Sequence, residues 1–259
     1  MRTINAIITI ACRDVIKLLR DRTRIAFSLV FPAIFIGVLG TSLQANVGAN
    51  LGYNFLEFVF IGVIAQTLFQ STAGGIISLV EDRQNDFAQE MFIAPISRYA
   101  ILLGKILGET CVSLLQILGV LALGIVIGVP LDWAAMIRLI PFLFLVALFG
   151  GAFGVIVMSS LSDQKSANQI FPFLLFPQFF LAGVFNPIQN LPLPIFIASR
   201  ISPMTYAVDL LRSIYYLGTP EYSKTVLYSP FLDTAVVVIV GTIFIVIGTF
   251  LFVRNERNK

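Results

Sequence analysis

Long apolar segments are the feature that most limits how this chain can fold. Six of them have about the length that one membrane crossing needs: residues 25–43, 55–80, 99–129, 139–158, 167–185 and 232–253. A bilayer core of about 30 Å requires roughly 20 apolar residues per helix. Because 58% of the residues are hydrophobic and only 12% are charged, no water-soluble fold could bury this much apolar surface. The sequence therefore predicts an all-α polytopic membrane protein with six transmembrane helices.

Six spans and their short connections use up nearly all of the 259 residues. We therefore expect a single transmembrane domain over residues 1–259 and no soluble catalytic domain. A charged, amphipathic stretch precedes the first apolar run, which argues against a removable signal peptide. The sequence has no histidine, and its two cysteines do not suggest a disulfide framework. We expect no catalytic residue, metal site or cofactor in this chain.

The basic residues are distributed unequally between the two sides of a six-span chain. Thirteen fall on the side of the N-terminus: Arg2, Arg13, Lys17, Arg20, Arg22, Arg24, Arg83, Arg98, Lys105, Lys165, Arg254, Arg257 and Lys259. Four fall on the other side: Arg138, Arg200, Arg212 and Lys224. Because cytoplasmic connections carry the excess of Lys and Arg, both termini are predicted to be cytoplasmic. We expect no nucleic-acid partner, since these charges flank membrane spans.

Residues 1–24 have the period of an amphipathic helix. The apolar side chains share one face: Ile4, Ile7, Ile8, Ala11, Val15, Leu18 and Leu19. The basic side chains share another: Arg13, Lys17, Arg20 and Arg24. This pattern predicts a helix in the cytoplasmic interface, with its cations among anionic lipid headgroups. A soluble helix packed on a partner protein is the alternative.

Few polar residues interrupt the spans, and these are candidates for a substrate pathway. Gln66 and Gln70 lie one turn apart in the second span, so their stripe should face protein or water rather than lipid. An interhelical hydrogen bond is the simpler alternative. Lys105 and Glu109 are also one turn apart and can neutralise each other. A proton relay would need matching acids in other spans, and Glu57 lies near a span edge.

The fifth span combines two prolines and five phenylalanines within residues 171–180. The prolines should bend or locally open the helix. The aromatic rings, among them Phe176 and Phe180, either line an apolar route for substrate or face the lipid.

Residues 186–229, which we call the outer segment, are predicted to form a re-entrant helical hairpin before the last span. Residues 195–217 are too short to cross the membrane and return, so we expect two short helices broken near Ser202 and Pro203. They would cap a pathway along the second and fifth spans. Asp209 and Arg212 would be neighbours at its wet rim.

Residues 81–98, which we call the cytoplasmic segment, form a charged connection on the opposite side. Phe87 and Met91 share a helical face, Glu90 adds an acidic flank, and Pro95 should end the helix. Such a helix could dock on a soluble partner. It could equally be a solvated connection between spans.

Together the two segments resemble the membrane subunits of ABC type-2 exporters, the permease family of drug, lipid and polysaccharide exporters. The family signature ends in a proline, an apolar residue, a variable position and a polar or aromatic residue, with an arginine six residues on. The matching residues are Pro203, Met204, Thr205, Tyr206 and Arg212. The cytoplasmic segment is similar to the family's coupling helix, although Asp86-Phe87 stands where many members have Gly-Thr.

The resemblance implies a permease half-transporter in a bacterial or archaeal cytoplasmic membrane, paired with a second copy or a related permease. Cytoplasmic ATPases would bind ATP and magnesium, because this chain has no G-x-x-x-x-G-K-[ST] loop. The substrate would be amphiphilic: lipid-like, a drug or a glycan. The ATPase-coupling candidates are Phe87, Glu90, Met91 and Pro95. The pathway or gate candidates are Gln66, Gln70, Phe176, Phe180, Pro203, Tyr206 and Arg212.

Two other classes of protein fit the sequence less well. A secondary transporter driven by an ion gradient predicts paired acids near mid-membrane and an internal repeat, and the sequence gives no sign of either. An intramembrane enzyme needs a nucleophile beside a base, or paired mid-span aspartates. The spans contain no such set.

Overall fold

The computed structural model describes residues 2–82, 97–161 and 164–257, and within these ranges every regular element is helical. The α-helices are α1 Arg2–Arg20, α2 Arg22–Pro32, α3 Thr41–Leu51, α4 Phe55–Asp82, α5 Arg98–Ile127, α6 Trp133–Ser159, α7 Gln164–Leu181, α8 Leu193–Ile201, α9 Pro203–Tyr215, α10 Tyr222–Thr225 and α11 Pro230–Arg257. A π-helical stretch, Ala33–Gly40, joins α2 to α3, and a 3-10 turn, Ile188–Asn190, follows α7.

Five helical stretches of the described chain are long and apolar enough to cross a membrane: Arg22–Asn46, Phe55–Leu79, Tyr99–Ile127, Trp133–Ser159 and Tyr222–Arg254. The predicted fifth span, residues 167–185, falls short. Its helix ends at Leu181, and the apolar part Gln169–Leu181 has 13 residues. The chain turns directly afterwards, where Gly183 has a φ of +71°. The total of six spans therefore stays a prediction.

The first span is one continuous helix that changes its hydrogen-bonding pattern in the middle. Pro32 is the last residue of α2, and the π-helical stretch begins directly after it. Proline removes a backbone N–H and crowds the preceding turn, which is a common cause of such local widening. The helix continues through α3 and ends at Gly52, which has a left-handed conformation.

Helix α4 is the centre of the bundle and packs against α5, α6, α7 and α9. Its contact with α6 is close because Gly150 and Gly154 meet its backbone. A Cβ at these positions would lie 2.4 Å from the Phe69 carbonyl and 2.7 Å from the Ala73 carbonyl. The spacing of these two glycines thus serves helix packing. Gly128, in the similar pair with Gly124, instead ends α5 in a left-handed conformation.

Helix α1 packs along α5 of the same chain rather than standing apart. Ile10, Asp14 and Leu18 are buried in this contact, whereas Ile4 and Leu19 remain exposed. The helix therefore has three faces, one packed, one apolar and one basic, where the sequence pattern indicated two. Its helical state is as predicted, and its location in the membrane interface stays a prediction that the exposed apolar face favours.

Helices α8 and α9 of the outer segment are separated at Ser202, the position where the sequence predicts a break. Pro203 is the first residue of α9, where its missing N–H costs nothing. The predicted wet rim is wrong in one respect. Asp209 and Arg212 are buried, 4% and 3% exposed, because α9 packs its whole length against α4, α6 and α11.

Candidate functional site

An open cleft of about 470 Å³ lies between the first span, α4, α5 and α7. Its uncharged polar side chains are Ser28, Gln66, Thr67, Gln70, Ser71 and Gln116. Its aromatic side chains are Phe27, Phe31 and Phe171. Both glutamines predicted for a pathway therefore line the same cleft. Arg24 is the one charged group in this lining.

Only some of the polar side chains that line the cleft form hydrogen bonds with each other. The Ser71 hydroxyl donates to Oε1 of Gln116, which joins α4 to α5. Gln66 is 3% exposed, and its Oε1 accepts no hydrogen bond within the described residues. A buried amide oxygen without a donor costs about 1–3 kcal/mol. A water or a substrate hydroxyl in the cleft would recover that cost.

Next to the cleft lies a group of five charged residues, which we call the charge cluster: Arg13, Asp14, Arg24, Lys105 and Glu109. Nζ of Lys105 lies 3.1 Å from Asp14 Oδ2 and 2.9 Å from Glu109 Oε1. Arg24 approaches Glu109 Oε2 at 3.4 Å. The predicted neutralisation of Lys105 by Glu109 is confirmed. Sequence reasoning missed Asp14 and Arg24, whose helices α1 and α2 the fold brings to the pair.

The charge cluster joins α1 and α2 to α5 and adjoins α4, and α4 and α5 are the helices that border the cytoplasmic segment. Gly75 of α4 adjoins it closely, since a Cβ there would fall 2.0 Å from the Glu109 carboxyl group. Lys105 lies in the second turn of α5. Residues 83–96, between these two helices, lie outside the described residues. The coupling candidates Phe87, Glu90, Met91 and Pro95 all fall in that stretch.

The phenylalanines of α7 divide into a packed set and an exposed set. Phe179 is buried, and its ring contacts Phe31 of the first span with centroids 5.6 Å apart. The two predicted pathway residues, Phe176 and Phe180, are 57% and 58% exposed and do not line the cleft. Of the α7 rings, the one that lines the cleft is Phe171, five residues before Phe176. Both prolines of α7 lie inside the helix without ending it.

The outer candidates Pro203, Tyr206 and Arg212 lie on α9, away from the cleft lining. Tyr206 donates its hydroxyl proton to the Arg200 carbonyl and stacks on Tyr228. These residues organise the outer segment itself. The structure thus places the predicted site residues in two separate regions.

Arg212 connects three elements through backbone carbonyls. Its guanidinium donates to the carbonyls of Gly183, Val184 and Phe58 at 2.7, 2.9 and 3.2 Å, and it lies over the Phe58 ring. Burial lowers the pKa of Arg212 to about 10, so the group stays charged at neutral pH. A cation directly after the end of α7 also interacts favourably with the helix dipole. Arg212 therefore fixes the turn after α7 to α4 and α9.

An acid pair that sequence reasoning missed lies beside this turn. Asp233, in the first turn of α11, is fully buried, and its carboxyl group interacts with that of Asp209 on α9. The pair lies at the outer end of the last span, so it does not contradict the expectation that the chain lacks paired acids near mid-membrane. The hydropathy pattern gave no signal, because Asp233 stands at the start of a span where an exposed helix cap would look the same.

Apolar helices long enough to cross a membrane surround a cleft lined by polar and aromatic side chains, an arrangement that fits a membrane transport protein. The model of the ABC-2 type transporter family matches residues 5–216. The chain therefore belongs to the ABC-2 type transporter family. It is a permease, which moves a substrate and is not itself an enzyme.

Several homologues agree with this assignment. The chain is 23% identical to ycf38 of Cyanophora paradoxa, a homologue named as a transport permease, over 94% of this chain and 86% of that protein. It is 28% identical to YbhR of Escherichia coli K12, named as a multidrug ABC transporter permease, over 64% of this chain and 45% of that protein. It is 23% identical to nodulation protein J of Rhizobium leguminosarum bv. trifolii, over 74% of this chain and 73% of that protein.

Proposed function

We propose that this chain is the membrane-spanning subunit of an ATP-driven exporter. The observation that carries the proposal is that Arg24 belongs both to the cleft lining and to the charge cluster. The cluster in turn touches α4 and α5, the two helices that border the cytoplasmic segment. A movement of that segment would therefore reach the cleft through the contact of Glu109 with Arg24, whose side chain is partly exposed.

The energy comes from a separate ATP-binding cassette ATPase, which binds ATP and magnesium. Phe87 and Met91 dock on it through their shared apolar face, with Glu90 beside them and Pro95 ending the helix. The ion pairs of the cluster transmit the motion because the buried Lys105 and Glu109 each contact two groups of opposite charge. The helices joined by the cluster consequently move as a unit.

The substrate is amphiphilic: a lipid-like molecule, a drug or a glycan that leaves the cytoplasm or the inner leaflet. The amides and hydroxyls of the cleft suit a polar headgroup, and Phe27 and Phe31 suit an apolar part. The cleft is open, and a second permease copy or a related permease would close it. Lipid covers the remaining apolar surface, in a bacterial or archaeal cytoplasmic membrane with both termini inside.

A carrier driven by an ion gradient is the second candidate, and the observation that favours it is the buried pair of Asp209 and Asp233. The two candidates differ in their energy source. Transport into inverted vesicles that requires ATP and the partner ATPase, and that survives a protonophore, supports the exporter. Transport that a protonophore abolishes supports the carrier.

Coupling is tested by the double variant Phe87→Ala and Met91→Ala, assayed with the ATPase in vesicles. We expect the variant to insert normally and to lose transport and substrate-stimulated ATP hydrolysis, because the apolar docking face is gone. The matched control is Val246→Ala with Phe250→Ala, which removes two apolar side chains that are 61% and 63% exposed on α11. The control should transport normally. Full activity in the Phe87 and Met91 variant would show that the cytoplasmic segment is only a connection.

A further inference from the structure

The carboxyl groups of Asp209 and Asp233 meet where the outer segment joins the last span. Asp209 is 4% exposed and Asp233 is 0% exposed. The two carboxyl groups interact where α9 packs on α11. Two ionised carboxylates side by side in a buried place repel each other. The arrangement is therefore favourable only when one of the two carries a proton.

The surroundings of the two groups show where that proton lies. Asp209 accepts backbone N–H bonds from Leu227 at 2.9 Å and from Tyr228 at 2.7 Å, an environment that suits an ionised carboxylate. Neither oxygen of Asp233 receives a donor from the described residues. A buried carboxylate without donors or a cation is strongly unfavourable, so Asp233 is the protonated partner.

The arginines near the two aspartates, Arg212 and Arg200, direct their guanidinium groups to other partners. Arg212 directs its guanidinium to three backbone carbonyls, and Arg200 lies over the rings of Phe196 and Tyr228. The charged and titratable groups that face the pair are Arg212 and Tyr206 on α9, Arg200 on α8, Tyr222 on α10 and Tyr228 before α11.

The neighbouring spans add no further charge to the pair. Arg138, the one ionisable residue within α6, donates to the Leu217 carbonyl. Glu57 of α4 accepts the hydroxyl proton of Tyr215. Arg212 can therefore balance one negative charge of the pair, and nothing balances a second.

We propose that Asp209 and Asp233 form a proton-binding site that holds one proton at neutral pH and fastens the outer segment to the last span. The Asp233 hydroxyl donates to the Asp209 carboxylate, which also holds the N–H groups of Leu227 and Tyr228 at the start of α11. When the proton leaves to water, two adjacent carboxylates remain and push α9 and α11 apart. The attachment of the outer segment thus depends on proton binding.

The sign of the pH dependence follows from this arrangement. Burial raises the pKa of the Asp209 carboxyl, against the opposing effect of its two backbone donors. The folded pair keeps a proton that aspartates of an unfolded chain release near a pH of about 4. The stability that the pair contributes is therefore complete below that pH and is lost as the pH rises, until the folded pair has released its proton as well. Over this interval the folded-to-unfolded ratio should fall about tenfold per pH unit, and above it the ratio should level off.

Infrared spectroscopy of the purified chain in lipid tests the proposal directly. We expect the carbonyl stretch of a protonated carboxyl at pH 7, shifted in D₂O and titrated away with a one-proton dependence as the pH rises. The band should be absent from Asp233→Asn, which keeps a donor to Asp209 and so should fold. It should remain in Glu57→Gln and in Asp21→Asn, the latter at an exposed helix cap far from the pair.

Thermal unfolding adds a second measurement. The melting temperature of the unmodified chain should fall between pH 7 and pH 10, and that of Asp233→Asn should fall less. A wild-type spectrum without the band at pH 7 would overturn the proposal without any variant. A band that persists in both Asp233→Asn and Asp209→Asn would also overturn it, since the proton would then reside elsewhere.

Discussion

A single buried arginine illustrates how individual side chains hold this fold together. The three carbonyls that Arg212 satisfies belong to α4 and to the turn after α7, and that turn has no helix ladder to satisfy them. Gly62 of α4 makes the contact possible. A Cβ at that position would lie 2.7 Å from the guanidinium and 2.9 Å from the Val184 carbonyl. The signature arginine thus stabilises the turn after α7, and its guanidinium is buried rather than exposed at a wet rim.

Gly62→Ala should therefore destabilise the chain by about 1–3 kcal/mol, because neither the guanidinium nor the carbonyl can retreat without losing a hydrogen bond. Arg212→Met should cost about 1–3 kcal/mol for each carbonyl it leaves without a donor. Thermal unfolding in detergent measures both. Gly37→Ala is the matched control, since its nearest neighbour would lie at an ordinary 3.6 Å. Equal melting temperatures for Gly62→Ala and Gly37→Ala would contradict this role.

Among the helices, those of the outer segment rest on α7 through side chains at the break between α8 and α9. The Ser202 hydroxyl donates to Oε1 of Gln178 at 3.3 Å, and the Thr205 hydroxyl donates to the Ser199 carbonyl. The contact ties the break to α7, whose earlier turns border the cleft. Any opening of the outer end must therefore separate Ser202 from Gln178.

A disulfide between cysteines at Gln178 and Ser202 should prevent that separation. The experiment starts from a chain in which Cys12 and Cys111, both exposed, are serine. We expect oxidation to abolish export and reductant to restore it, while the ATPase still binds. Each single cysteine variant, oxidised in the same way, is the control. Unchanged export with the crosslink complete would mean that substrate leaves by another route, for instance sideways between spans.

The limits of sequence reasoning are clearest at the level of these helices. The spans and the break at Ser202 depend on local properties, apolar length and proline chemistry, and could be predicted. Asp14 and Asp233 could not, because their partners Lys105 and Asp209 lie far away in the chain. The end of α7 at Leu181 was also missed, because a hydropathy window does not register a turn that a distant arginine stabilises.

The arrangement of the whole chain in the membrane leads to a labelling experiment. The unequal distribution of basic residues predicts the orientation of the chain in the membrane. A cysteine placed at Asn50 should then react with an impermeant thiol reagent in intact cells, and one placed at Asn85 should not. The background again lacks Cys12 and Cys111. Both sites should react once the cells are broken, which controls for reactivity. The opposite pattern in intact cells would overturn the predicted topology.

The packing of α1 on α5 also determines the order in which the molecule can be made. Asp14 pairs with the adjacent Arg13, but it gains Lys105 only when that residue has left the ribosome and α5 has entered the membrane. At about 5–20 residues per second, synthesis of the intervening chain takes seconds. During that time α1 has no α5 to pack against, so the nascent N-terminal helix and its hydrated charges stay at the membrane surface. Docking of α1 is therefore a late event of biogenesis, because it can occur only after the third span has been inserted.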